Sequence, residues 1–73
     1  MVMTKEQMAL ELVESYESFG RVLRENVKRL VVERTTRRPK EFVEGAYKCA
    51  KKTNTLDDVC FSIFLLTGIA LVK

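Results

Sequence analysis

Six cations fall within thirteen residues of this chain: Lys28, Arg29, Arg34, Arg37, Arg38 and Lys40, with Glu33 the only acid among them. Arg21 and Arg24 extend the series along one helix face with Lys28. Clustered guanidinium and ammonium groups attract phosphate, with an affinity that falls as salt rises. These eight residues are therefore the candidate nucleic-acid contacts. No aromatic residue is interleaved with them, so stacking on the bases of a single strand is not favoured. The competing reading is a solvated basic face that serves solubility, because a cation cluster without a motif carries little specificity.

Other reactive residue types are few. The chain has no His, and its two Cys stand eleven apart at Cys49 and Cys60. That spacing matches no zinc pattern, so neither a metal nor another cofactor is expected. There is no glycine-rich phosphate loop, no Gly-x-Ser-x-Gly elbow and no Cys-x-x-Cys. Asp57 and Asp58 are adjacent. On a helix they point about 100° apart and serve as first-turn charges rather than as an acid–base pair. These features argue against an enzyme and against a small-molecule substrate.

The elements that carry these residues read as helices. Thr4 followed by Gln7 is a capping-box pattern. Beyond it Ala9, Val13, Tyr16, Leu23, Val27 and Leu30 recur at steps of three and four with Gly20 on the same seam, widened by Leu12 and Phe19. This spacing predicts a helix over residues 4–34, with a kink at Gly20 as its one weak point. Glu17–Arg21 and Glu25–Arg29 are expected i,i+4 pairs along it. Pro39 interrupts the pattern and opens a second helix over 39–52. Its apolar face is Phe42, Val43, Ala46, Tyr47, Cys49 and Ala50. Thr55 caps a third helix over 55–72, made of the uncharged run Val59 to Val72 with Asp57 and Asp58 before it and Lys73 after it. The expected fold is all-α, a single three-helix bundle in which a long N-terminal helix packs on a C-terminal hairpin. With the hairpin turn between Asn54 and Thr55, residues whose numbers sum to 109 lie level. Cys49 then meets Cys60 and Ala46 meets Ile63. The two thiols are a candidate disulfide, the alternative being two buried thiols in a reducing compartment. The six aromatics are expected mostly in the core.

The net charge of +3 conceals three regions. Residues 1–20 carry −3 and residues 53–73 carry −1, while residues 21–52 hold eleven bases against four acids. The run Val59–Val72 is shorter than the roughly 20 apolar residues that cross a bilayer, so a membrane anchor is not expected. Met1–Thr4 leads directly into Lys5 and Glu6 without a signal-peptide core, which predicts a cytoplasmic protein. Abundant Val, Glu, Lys and Arg with few Asn and Gln resemble a thermophile's composition. A 73-residue chain has a thin core. A homodimer, or docking on another subunit, is therefore expected. Val22, Leu30, Val32, Phe61 and Leu65 are the candidate interface residues. Together these features predict a small, non-enzymatic protein–protein interaction module, an adaptor or regulatory subunit. Nucleic-acid binding through the central basic segment is the alternative.

A second topology competes for residues 29–72. Leu30–Thr35 read as a short strand, followed by Pro39-Lys40-Glu41-Phe42-Val43 opening a helix and then a second helix, resembles the ribbon–helix–helix family of dimeric DNA-binding regulators. The resemblance implies DNA reading by alternate strand residues, here Arg29, Val31, Glu33 and Thr35. The turn at Thr53–Asp57 lacks that family's usual glycine.

Overall fold

The computed structural model describes residues 3–71. Thr4 caps α1 (Lys5–Ser18) as a full capping box: its hydroxyl accepts from the Gln7 amide while the Gln7 side chain accepts from the Thr4 amide. Met8, Ala9, Leu12, Val13, Ser15 and Tyr16 form the buried face of α1. The helix then stops. Phe19 and Gly20 donate their amides to Tyr16 and Glu17, and Gly20 takes a φ of +82°, a left-handed conformation open to glycine at little cost.

The break at Gly20 replaces the long helix expected over residues 4–34. A continuous helix of that length would run about 46 Å, whereas the longest dimension of the molecule is 28 Å. The chain turns back instead as α2 (Glu25–Thr36), which packs along α1. Two consequences follow for the expected ion pairs and seam. Arg21 leaves the helix, and Glu17 pairs across the corner with Lys28 at 3.2 Å, which also reaches Glu25 at 3.7 Å. The buried positions of α2 are Val31 and Thr35, while Leu30 on the expected seam is half-buried. Residues 30–35 are helical, and no strand occurs among the described residues. The ribbon–helix–helix topology is therefore overturned.

Pro39 opens α3 (Lys40–Thr53) as expected. Asn54, at φ +51° in the left-handed region, closes it. Thr55 caps α4 (Leu56–Thr67) with its hydroxyl on the Asp58 amide. The Ser62 hydroxyl donates to the Ala46 carbonyl at 3.0 Å, one residue from the register expected of this hairpin. Gly68, at φ +75°, ends α4 five residues short of the expected limit at Val72. Val72 and Lys73 lie outside the described residues. Ile69 and Leu71 continue beyond the helix and pack against the core.

The fold is thus four helices in two hairpins, α1–α2 and α3–α4, rather than a three-helix bundle. Helices α1 and α4 each pack on all three others. The core between the hairpins is Met8, Leu12, Val13 and Tyr16 from α1, Val31 from α2, Val43, Ala46 and Ala50 from α3, and Val59, Cys60, Ile63 and Leu66 from α4, with Leu23 from the α1–α2 loop. A four-helix arrangement covers α3 and α4 on one side only, and that fact creates the surface described next.

Candidate functional site

Beyond Asp58, helix α4 is uncharged around its whole circumference, but it has neighbours on one side. Val59, Cys60, Ile63 and Leu66 turn inward, leaving Phe61, Phe64 and Leu65 outside at spacings of three and four. Their exposures are 60%, 48% and 39%. On α3 the corresponding strip is Phe42, Gly45 and Cys49, also one helix face, with Phe42 40% exposed. Between the two helices lies an open groove of about 520 Å³. Its walls are Phe42, Phe61 and Leu65, its floor is Gly45, Ala46, Cys49 and Ser62, and its rim carries Glu41 and Lys52 at opposite ends of α3, with Asp58. A Cβ placed on Gly45 would meet nothing within 4 Å.

This face corrects the expectation that the aromatics fill the core. Tyr16 is buried and Tyr47 half-buried, but Phe42, Phe61 and Phe64 stand on the outer side of the hairpin, and Phe19 is 39% exposed at the end of α1. Of the five expected interface residues, Phe61 and Leu65 line the groove. Val22 is 87% exposed in the α1–α2 loop, and Leu30 and Val32 are half-buried on α2; none of these three belongs to the groove. Phe42, Phe64, Gly45, Glu41 and Lys52 were not singled out as interface residues from sequence. The signal was present in the uncharged all-round character of α4, because one side of such a helix in a small bundle must go uncovered.

The eight basic candidates are divided by the fold. Arg34 Nη1 donates to the Thr67 carbonyl and Arg38 Nε to the Leu66 carbonyl, each at 2.9 Å. Both guanidinium groups thus cap the last turn of α4, where carbonyl oxygens point outward unpaired and the helix dipole is negative. Arg37 is bound to Glu33 at 2.6 Å. The Lys28 ammonium is held above its ordinary pKa, chiefly by its hydrogen bond to Glu17. Arg21 Nε is enclosed without a hydrogen-bond partner among the described residues. Arg24, Arg29 and Lys40 are exposed. Arg34, Arg37 and Arg38 nonetheless remain exposed and line one shallow pocket with Thr67.

Cys49 and Cys60 are not bridged: Cys49 opens onto the groove while Cys60 is in the core. A polar clasp joins α1 to α3 on the other side of the hairpin. Tyr47 Oη donates to Glu11 Oε1 at 2.7 Å, and Lys51 Nζ donates to Ser15 Oγ at 2.9 Å while standing 3.6 Å from Glu11 and 5.7 Å from the Tyr47 ring centroid. Burial, with the bond to Glu11 second, pushes the Tyr47 phenol up to about 12. The clasp ties α1 to α3.

The chain matches no family model, no curated protein and no solved structure. Among the described residues, no helix is long and apolar enough to cross a membrane, and no group of three or more metal-ligating side chains converges.

Proposed function

We propose that this protein is a small, non-enzymatic interaction module that docks a protein partner on the α3–α4 face. The observation that carries the reading is the clustering of exposed Phe42, Phe61 and Leu65 around one groove with a charged rim. Apolar cores ringed by polar residues, rich in aromatics, are the usual anatomy of a docking surface. Nucleic-acid binding draws less support, because Arg34, Arg37, Arg38 and Lys28 each already hold a partner within the chain, although the three arginines stay exposed.

The reading is tested with immobilised chain presented with both its own untagged copy and an extract of the source cells. Phe61→Asp places a charge in the centre of the face, and Val22→Asp places one in the α1–α2 loop. Partners retained by the wild type and by Val22→Asp but lost by Phe61→Asp support the reading. Retention unchanged by Phe61→Asp overturns it. Titration with duplex and single-stranded nucleic acid at two salt concentrations tests the alternative. Salt-sensitive binding lost on Arg29→Glu would favour that alternative.

A further inference from the structure

We infer that the partner on the α3–α4 face is a second copy of this chain, paired through a two-fold axis that crosses α3 antiparallel to its counterpart between Gly45 and Cys49. This rests on the docking reading above and adds the occupant and its register.

Three observations carry it. The first is charge. Glu41 and Lys52 stand on the rim of the same groove, near the start and the end of α3. In a two-fold pair, whatever residue i meets in the partner's residue j is repeated as j meeting i. Antiparallel crossing beside residue 47 places Glu41 within a turn of the partner's Lys52, and Lys52 within a turn of the partner's Glu41. The face is therefore complementary to itself in that orientation, while a parallel pairing sets Glu41 against Glu41 and Lys52 against Lys52. The second is shape. Gly45 has ordinary helical geometry, and nothing within the chain fills the space where its side chain would be. With Ala46 and Cys49 it makes a shallow strip between Phe42 on one side and Phe61 and Leu65 on the other. Helices approach most closely where small residues meet, and bulky neighbours fill the flanks. The third is area. Phe42, Phe61, Phe64 and Leu65 leave on the order of 400 Å² of side chain uncovered. Two copies would remove on the order of 800 Å² from water through these four alone, about two thirds of the roughly 1,200 Å² at which stable interfaces begin.

The test measures mass in solution by light scattering at low ionic strength, with circular dichroism to show that each variant is folded. Wild type is expected as a dimer, and Phe61→Asp as a monomer. Glu41→Lys alone and Lys52→Glu alone each set like charges at both rim contacts, and each is expected to weaken self-association about tenfold. An equimolar mixture of the two variants restores opposite charges at both contacts and is expected to recover the wild-type affinity. Their helix-end costs are the same in the mixture as apart, so recovery reads the pairing alone. A short bis-maleimide is also expected to link two copies through Cys49, and Cys49→Ala to abolish the product. A monomeric wild type overturns the inference even where Phe61→Asp still removes another protein from the immobilised chain, which leaves the docking reading standing. A dimer untouched by Phe61→Asp also overturns the inference, and the docking reading falls with it only if retention on the immobilised chain is likewise unchanged by Phe61→Asp. A dimer broken by Phe61→Asp, in which the mixture shows no recovery, overturns the antiparallel register.

Discussion

Thr35 is wholly enclosed on α2, yet its hydroxyl has no hydrogen-bond partner among the described residues. An unpaired buried hydroxyl costs about 1–3 kcal/mol, and Val has nearly the same shape without that cost. Thr35→Val is expected to raise stability by about 1 kcal/mol, seen as a higher urea midpoint at unchanged slope. Tyr47 makes the opposite kind of contribution. Its phenol is raised from 10.0 to about 12 in the folded chain, so the folded state holds that proton more tightly than the unfolded state. The stability this provides is complete below pH 10 and is lost as pH rises from 10 to about 12. Tyr47→Phe removes both the bond to Glu11 and that pH dependence. It is expected to cost about 1 kcal/mol at neutral pH, with the difference from wild type shrinking and then reversing sign as pH rises through the window in parallel denaturation series.

At the scale of the helices, the corner between α2 and α3 holds the end of α4 in place. Arg38→Met keeps much of the aliphatic stem but removes the donor to the Leu66 carbonyl. The expected loss is about 1 kcal/mol, with faster amide exchange confined to the last turn of α4. The double change with Arg34→Met extends the loss to the Thr67 carbonyl. Much of this layout was legible before any coordinates. Thr4 with Gln7, Thr55 with Asp58, the start at Pro39 and the turn at Asn54 are local devices, in which a side chain meets a backbone group three residues away or a single residue sets a dihedral angle. The stops at Gly20 and Gly68 were not legible in the same way. One glycine costs a helix only about 1 kcal/mol, and the apolar spacing continues across both positions. Leu23 and Val27 pack on the core after the first break, as Ile69 and Leu71 do after the second. Burial alone does not distinguish a helix that continues from one that turns back. The groove was half legible. Phe61 and Leu65 stood out because α4 carries no charge beyond Asp58, but Phe42 looked like an ordinary member of a buried face and Gly45 drew no notice. The division of the basic cluster depended on contacts such as Arg34 to Thr67, thirty-three residues apart.

The whole molecule spans 28 by 26 by 21 Å and gathers Phe42, Phe61, Phe64 and Leu65 on one flank, with Leu10, Phe19 and Val22 exposed singly elsewhere. That distribution sets folding and assembly against each other at Gly45. Within a single copy, Gly45→Ala meets no obstacle and gains helix propensity, so the isolated chain is expected to become more stable by about 0.5–1 kcal/mol, read as a rise in melting temperature for Phe61→Asp carrying the change. In the pair, the added methyl group falls where two backbones approach, and the same substitution is expected to weaken association in light scattering. A search for thermostable variants that scores melting alone would therefore enrich alanine at this position while discarding the assembled form. The residue that looks like the easiest improvement to the monomer would be the one that engineering should leave alone.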